Sequence, residues 1–195
     1  MKNGTTNILL AGVGGQGVLL ASEILTEVAK SAGLDAKKSE VHGMSQRGGV
    51  VTSHVRFGKE VFSPLIPEGE VDALLALEIA EGLRWMHEIR EGGRVVVNDQ
   101  KIIPTVVYSG GDFEYPDSAA EKIMKNNPEA MIVKAFDIAK ELGNVRLVNT
   151  IMLGALSQSL DLEENIWLDV IERMAPKGTG ELNKKAFGRG RSYSV

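Results

Sequence analysis

A glycine-rich loop near the amino terminus is the first segment whose residue types and spacing could do chemistry. Residues 12–17 satisfy the pattern G-x-G-x-x-G, between an apolar run and a stretch of apolar residues at helical spacing. Glycine permits a tight turn and a close backbone approach, and the free N–H groups at a helix start attract anions. We expect this loop to bind a nucleotide or phosphate, although a glycine turn that only packs is the alternative. The candidate binding residues are Gly12, Gly14, Gly15, Gln16 and Gly17.

A second loop concentrates polar side chains between glycines. Residues 42–49 show neither helical nor strand periodicity, yet they carry an imidazole, a thioether, a hydroxyl, an amide and a guanidinium group. Such density in a loop indicates a site, and the planar fork of Arg47 could hold a phosphate or a carboxylate. A surface arginine in a turn is the alternative. The candidate residues of this loop are His42, Met44, Ser45, Gln46, Arg47, Gly48 and Gly49.

Nicotinamide chemistry would need further residues. Glu40 could meet the ribose hydroxyls of NAD at the end of the second strand, but it could equally be a solvated glutamate. The sequence has no Tyr-x-x-x-Lys pair for hydride transfer. His42 and His54 could be ligands or acid–base groups, although a lone histidine more often makes a structural hydrogen bond. We therefore predict no catalytic residue in this chain.

Composition narrows the chemistry further. The chain has 195 residues and no cysteine, which excludes disulfides, cysteine nucleophiles, cysteine-ligated zinc and cysteine-ligated iron–sulfur clusters. Its net charge of -4 gives no general attraction to nucleic acid or anionic membranes. No apolar run approaches the roughly 20 residues of a membrane span. We expect one domain over residues 1–195, a cytoplasmic location, no metal site, and neither nucleic acid nor membrane as a partner.

Alternating strands and helices must position these loops. The periodicity predicts strands at 6–11, 34–41, 71–77, 93–99 and 130–134, and helices at 18–32, 78–91, 116–127, 136–142, 148–160 and 163–174. Residues 50–57 and 60–63 predict a hairpin across Gly58 and Lys59. This order predicts an α/β fold with a doubly wound, mostly parallel Rossmann-like sheet and an antiparallel hairpin insertion. The basic, glycine-rich tail from about residue 176 predicts a mobile arm or a segment that orders against a partner.

Three segments together resemble a known family. Residues 7–18, 39–49 and 53–58 are similar to the gamma-domain family of 2-oxoacid:ferredoxin oxidoreductases, and residues 149–156 are similar to a late helix of that family. Within the family, the segment Val-His-Gly-Met-Ser-Gln-Arg-Gly-Gly at residues 41–49 resembles the beta subunit of the indolepyruvate type. The likeness covers most of the chain.

The resemblance implies an enzyme that decarboxylates a 2-oxoacid, such as indolepyruvate or another aryl pyruvate, on thiamine diphosphate with magnesium. It implies that electrons pass through iron–sulfur clusters to ferredoxin and that the acyl group passes to coenzyme A. Because this chain has no cysteine and no complete thiamine motif, a larger partner subunit must carry those groups. The small chain, inactive alone, is expected to support cofactor or coenzyme A binding and assembly, with residues 42–49 at the coenzyme A, substrate or partner surface.

Two rival classes stay open at this point. A dehydrogenase that uses NAD(P) and works alone would explain the glycine loop and Glu40. A non-catalytic nucleotide-binding module would explain the loop without any chemistry.

Overall fold

The central feature of the computed structural model is a six-stranded sheet within the part it describes, residues 4–42, 49–103 and 115–194. The strands are β1 (Thr5–Val13), β2 (Asp35–His42), β3 (Val50–Gly58), β4 (Val71–Ala76), β5 (Ile89–Asn98) and β6 (Met131–Val133). They lie in the order β2-β3-β1-β4-β5-β6. β1, β4, β5 and β6 run parallel, whereas β3 is antiparallel to both of its neighbours.

Side-chain alternation along β1 divides the core in two. Ile8 and Leu10 join one apolar cluster, whereas Leu9 and Ala11 join the other, and all four are at most 1% exposed. Successive residues of a strand point to opposite faces, so a central strand with both faces covered reads as a continuous apolar run. This explains why residues 8–11 are all apolar and show no alternation with polar residues.

Helices cover both faces of the sheet. They are α1 (Val18–Ser31), α2 (Ile79–Arg84), α3 (Ala119–Asn126), α4 (Ala135–Glu141), α5 (Val148–Ser157), α6 (Glu164–Met174) and α7 (Gly180–Arg191). The cluster around Ile8 holds residues of α1, α4, α5, α6 and α7, and the cluster around Leu9 holds residues of α2 and α3. The predicted doubly wound α/β fold is therefore confirmed. None of the helices in the described ranges is both long and apolar enough to cross a membrane.

The antiparallel insertion differs in detail from the predicted hairpin. β3 pairs with β2 on one side and with β1 on the other, so no edge of β3 is free for residues 60–63. Those residues form no strand and are held by side chains instead. The Asp35 carboxylate accepts the Val61 N–H at 2.8 Å, and the Arg56 guanidinium donates to the carbonyls of Ser63 and Leu65, both at 2.9 Å. The predicted pairing across Gly58 and Lys59 is wrong.

The predicted helix at 78–91 is much shorter in the structure. α2 ends at Arg84, a 3-10 turn spans Met86–Glu88, and β5 begins at Ile89. Ile89 pairs with Val71 at the start of β4, and the next pair after a shift in register is Ala73 with Arg94. Strand pairing with β4 thus overrides the helical pattern of these residues.

The tail is a packed helix and not a mobile arm. Phe187 of α7 is fully buried and stacks on Trp167 of α6, with ring centroids 5.4 Å apart. Two glycines let α7 approach α5 closely, since a Cβ atom on Gly154 would lie 2.1 Å from the Phe187 carbonyl oxygen and one on Gly190 would lie 1.9 Å from the Ile151 carbonyl oxygen. The tail glycines therefore serve helix packing. That residues 1–195 form one domain stays a prediction.

Candidate functional site

The strand register brings the two candidate loops to one edge of the sheet. β1 ends at Val13, which lies opposite Val50 at the start of β3, and His42 at the end of β2 lies opposite Val51. The Gly14 N–H donates to the Gly49 carbonyl at 2.9 Å, which joins the loops directly. Both loops therefore leave the sheet at the carboxyl ends of the parallel strands. Met44, Ser45, Gln46, Arg47 and Gly48, and the side chain of His42, lie outside the described residues.

The glycine loop lies at the point of the sheet where the connections after two neighbouring strands go to opposite faces. After β1 the chain turns to α1 on one face, and after β4 it turns to α2 on the other face. β1 and β4 are neighbours in the sheet, so their carboxyl ends flank a crevice. In open α/β sheets such a crevice is where ligands bind.

Gln16 fills the inner part of this crevice with its amide. Its Oε1 accepts the Val13 N–H at 2.8 Å, and its Nε2 donates to the Leu77 carbonyl at 2.7 Å. The fully buried Asn98 at the end of β5 donates to the same carbonyl at 3.1 Å and to Gln100 Oε1 at 3.0 Å. Linked amides thus hold the ends of β1, β4 and β5 together, and Gln16 positions the loop from inside.

Two glycines of the loop have steric reasons to be glycine. A Cβ atom on Gly12 would lie 2.9 Å from both Gln16 Oε1 and Val18 Cγ2. Gly17, the N-cap of α1, has φ +79, and a Cβ atom there would lie 2.3 Å from Asn149 Nδ2. That Asn149 amide donates to the Gly17 carbonyl at 3.1 Å, which ties the first turn of α5 to the loop.

Asn149 is not among the candidate residues predicted from the sequence, and its one signal there is its place in the family-like segment 149–156. The candidate set was drawn from loops, whereas Asn149 lies 132 residues from Gly17 and belongs to a helix. Only the packing of α5 beside α1 brings the two together.

A cleft of about 620 Å³ opens outside the loop. It is lined by Gly14, Gly15, Gln16, Gly17, Leu20, Gln100, Ile102, Phe136, Val145, Arg146, Val148 and Asn149. Arg146 is the charged residue among these lining residues, and none of them is a carboxylate. The start of α1 faces the same space, and a helix start carries a partial positive charge. The described part of this cleft suits an anion with an apolar extension.

A cluster of buried acids adjoins the cleft and was also missed. Glu78, 1% exposed, is the N-cap of α2: it accepts the Glu81 N–H at 2.9 Å, the Ile102 N–H at 3.1 Å and the hydroxyl of Tyr115. Burial raises the pKa of Glu81, and burial together with the bond to Glu78 raises that of Tyr115. Since glutamate is not among the preferred N-cap residues, no capping signal for α2 can be recognised in the sequence.

His54 makes a structural hydrogen bond. Its Nδ1 accepts the Ile66 N–H at 3.2 Å, which anchors the segment after β3. Burial lowers the pKa of this half-buried imidazole below its ordinary value, so the neutral acceptor form is favoured. The structural interpretation of His54 is confirmed.

Glu40 is far from the glycine loop. β3 lies between β2 and β1, and strands are spaced about 4.8 Å apart, so Glu40 stands roughly 10 Å away from β1. Its carboxylate pairs with Lys38 at 2.8 Å. The acidic residue that an NAD site would need is therefore absent from its expected place. The described residues also contain no group of three His, Cys, Asp or Glu side chains that could hold a metal ion.

Sequence comparison identifies the family. Residues 7–193 match the family described as pyruvate ferredoxin/flavodoxin oxidoreductase. The indolepyruvate oxidoreductase subunit IorB of Thermococcus kodakarensis is 39% identical over 189 residues, which cover 94% of this chain and 93% of the relative.

Solved structures agree with this assignment. The gamma subunit of a keto/oxoacid ferredoxin oxidoreductase from Geobacter sulfurreducens has a TM-score of 0.68 at 26% identity, with 95% of each chain covered. The fold is also found in the 2-oxoglutarate:ferredoxin oxidoreductase of Magnetococcus marinus, solved with 2-oxoglutarate, coenzyme A and succinyl-CoA bound. There the TM-score is 0.73 at 23% identity, and the match covers 97% of this chain but 31% of that chain. This chain therefore belongs to the pyruvate ferredoxin/flavodoxin oxidoreductase family and is a small subunit of a 2-oxoacid:ferredoxin oxidoreductase.

Proposed function

We propose that this chain is the small subunit of an indolepyruvate:ferredoxin oxidoreductase and that its glycine cleft holds part of coenzyme A in the assembled enzyme. The observation that carries the proposal is the cleft itself, which lies at the switch point of the sheet, contains Arg146 and has no carboxylate among its described lining residues. The indolepyruvate preference rests on the Thermococcus relative, and coenzyme A as ligand is supported by the Magnetococcus enzyme, which holds it.

The chemistry of coenzyme A matches the two parts of the cleft. Its phosphates are anions, which suit Arg146 and the start of α1. Its pantetheine arm is uncharged and carries methyl and methylene groups between two amides, and these apolar groups suit Leu20, Ile102 and Val145. The part played by this chain is to bind and orient the acyl acceptor, and the loop at residues 42–49 with Arg47 is proposed to complete the site.

The remaining cofactors find no ligands in this sequence or among its described residues. It has no cysteine to ligate iron–sulfur clusters, and its described residues offer no three-residue metal site for the magnesium of thiamine diphosphate. We assign thiamine diphosphate, magnesium and the clusters, and with them decarboxylation and electron transfer to ferredoxin, to the larger subunit. We also propose that the assembled enzyme is cytoplasmic.

Exposed apolar residues support assembly at the cleft edge. Leu20, Val41, Ile103 and Val145 are between 41% and 52% exposed, and all lie at or beside the carboxyl ends of the strands. The Magnetococcus chain is more than three times as long as the part that matches this protein. In that enzyme, a domain with this fold is therefore joined covalently to a much larger part of the same chain. We propose that the larger subunit covers this rim and thereby closes the cleft.

Reconstitution tests the proposed function. We expect no indolepyruvate-dependent reduction of ferredoxin by the isolated chain and full activity after mixing with the larger subunit. Titration of the assembled enzyme with coenzyme A in a calorimeter, without oxoacid, measures acceptor binding directly. Turnover by the isolated chain, or an equally active larger subunit without it, would contradict the proposal. Titration of the isolated chain with NAD(H) tests the dehydrogenase alternative. No observation on the described residues favours that alternative, so we expect no binding.

A further inference from the structure

Strand β2 forms one outer edge of the sheet. It pairs with β3 on one side in an uninterrupted register, from Asp35 with Gly58 to His42 with Val51. On its other side, no strand of the described ranges lies against it. An open edge exposes a row of backbone donors and acceptors with which a strand of another chain can pair. At eight residues and without a proline, β2 is long and regular enough for such pairing.

The face of β2 that is turned towards α1 carries one cation and one anion. Ala36 packs against the apolar cluster around Ile8, so residues 36, 38 and 40 lie on this face. Lys38 pairs with Glu23 of α1 at 3.3 Å and with Glu40 at 2.8 Å. The side chains of Lys38 and Glu40 stay 29% and 25% exposed, so both are open to a further partner at the edge.

The opposite face of β2 carries exposed apolar side chains. Phe62 is 86% exposed, and Val41 is 52% exposed. Lys37 donates to the Val61 carbonyl, which holds the segment with Phe62 beside the first half of β2. Val41 lies on the same face, in the second half of the strand. The two side chains thus stand towards opposite ends of one open edge.

We propose that β2 pairs antiparallel with β2 of a second copy of this chain, centred on Ser39. Residues directly opposite each other share a face, so the twofold axis of such a pair passes through a residue and not between two. A centre at Lys37, Lys38 or Glu40 would place a charge against its own copy, and a centre nearer either end would pair fewer residues. The centre at Ser39 places Lys38 opposite Glu40 of the second copy and Glu40 opposite its Lys38.

The paired charges change the usual effect of an edge lysine. Lysine on an edge strand ordinarily prevents pairing, because two copies bring like charges together. In the register centred on Ser39, each Lys38 meets a Glu40, and cross-strand pairs of opposite charge stabilise a sheet. By symmetry this contact occurs twice in the dimer.

The same register joins the apolar side chains of the other face. It places Val41 opposite Lys37 of the second copy, whose ammonium group is bound within its own chain. Val41 thereby comes beside the segment that carries Phe62 of the second copy, and both side chains are removed from water. Val41 also borders the rim assigned to the larger subunit, so the two contacts meet at this residue. Charge and apolar surface, on opposite faces, therefore favour one and the same register.

Charge reversal in the isolated chain tests the contact, whatever ligand the cleft binds. Analytical ultracentrifugation should show a dimer of the parent at about 10–100 µM. Lys38→Glu and Glu40→Lys each replace two attractive contacts with two repulsive ones, so we expect each to raise the dimer Kd about tenfold or more. An equimolar mixture of the two variants restores both contacts between unlike chains and should again sediment as a dimer.

Lys101→Glu is the matched control for charge. It changes the net charge equally and removes an exposed pair with Asp117 at 2.9 Å, away from β2. Its dimer Kd should match that of the parent. A parent that stays monomeric at about 100 µM, a dimer that neither reversal weakens, or a mixture that does not associate overturns the inference.

Single cysteines measure the register directly, since the chain has no cysteine of its own. At the centre, the two Cα atoms of residue 39 should lie about 4.5–5.5 Å apart, which a disulfide can span. Ser39→Cys should therefore form a covalent dimer under mild oxidation. In Val41→Cys the two thiols are offset by four residues, about 14 Å along the strands, and should stay unlinked.

The cysteine variants decide the question even where a charge reversal unfolds the chain, because neither changes a charge. Circular dichroism identifies a reversal that is unfolded. Efficient linkage at residue 39 but not at residue 41 supports the pairing. Linkage at residue 41 but not at residue 39, or at neither residue, overturns it.

Discussion

Glycines have different structural roles in two regions of this molecule. In the loop at residues 12–17, Gly17 takes a positive φ and the chain turns so that a cleft opens beside α1. Between α5 and α7, Gly154 and Gly190 keep helical backbones and only remove side-chain volume, so that two helices touch through their carbonyl groups. Glycine content therefore indicates neither mobility nor a ligand site until the neighbours of each glycine are known.

The largest effect should come from filling the helix contact. Gly190→Val places a side chain against the Ile151 carbonyl, and we expect it to lower the free energy of unfolding by about 3 kcal/mol, measured by urea denaturation. The matched control is Gly188→Ala in the same helix, where a Cβ atom meets nothing within 4 Å. Because alanine favours a helix over glycine, this control should stabilise the chain by about 0.5–1 kcal/mol. If Gly190→Val left the free energy of unfolding unchanged, α5 and α7 would not be packed closely.

A pair of glutamines, one in each region, provides the next test. Gln16→Leu leaves the Val13 N–H without its acceptor and removes one donor from the Leu77 carbonyl, so we expect a loss of about 2 kcal/mol. Gln158→Leu removes bonds to the Gly190 and Tyr193 carbonyls at an exposed helix end, where water can replace them. Its loss should stay below about 1 kcal/mol. Equal losses would contradict the positioning role of Gln16.

The smallest expected effect is the difference in stability between two alanine variants of the glycine loop. It separates the cost of backbone strain from the cost of a steric conflict. Gly15 and Gly17 both have positive φ, but a Cβ atom on Gly15 meets nothing within 4 Å, whereas one on Gly17 meets Asn149. Alanine at either position carries the strain of about 1–2 kcal/mol, and Gly17→Ala also displaces Asn149 from the Gly17 carbonyl. We expect Gly17→Ala to cost about 1 kcal/mol more than Gly15→Ala.

The double variant Gly17→Ala with Asn149→Ala checks the source of that difference. Without the Asn149 side chain, the steric part of the conflict is removed. The remaining cost should then approach that of Gly15→Ala, measured by the same denaturation. If the difference persists in the Asn149→Ala background, the contact between α5 and the loop is not its cause.

Local sequence patterns were sufficient to predict those helices and strands that pack against elements close to them in the chain. β1, the glycine turn and α1 form one strand–loop–helix unit, and its apolar residues, glycines and helical spacing are all contained within residues 5–33. The same holds for α5 and α6, whose apolar spacing predicted helices that the structure confirms within a few residues. The family-like segments then indicated the enzyme class, which the comparisons confirm.

Local patterns failed where a distant segment decides the outcome. Residues 60–63 look like a strand, but β1 occupies the edge of β3 that they would use. Residues 89–91 look helical, but pairing with β4 makes them a strand. The tail looks mobile because it is basic and rich in glycine, yet the groove of α5 receives it through Gly154.

The sequence by itself determined the fold class, the glycine turn, the absence of cysteine and the family. These depend on residue types and on spacing over a few turns of chain. Tertiary structure alone decided that Asn149 meets Gly17, that Gln16 closes the crevice between β1 and β4, and that Arg146 lines the cleft beside the glycine loop. The physical reason is that these contacts join residues far apart in the chain, and such contacts arise only when the sheet order and the helix packing are set.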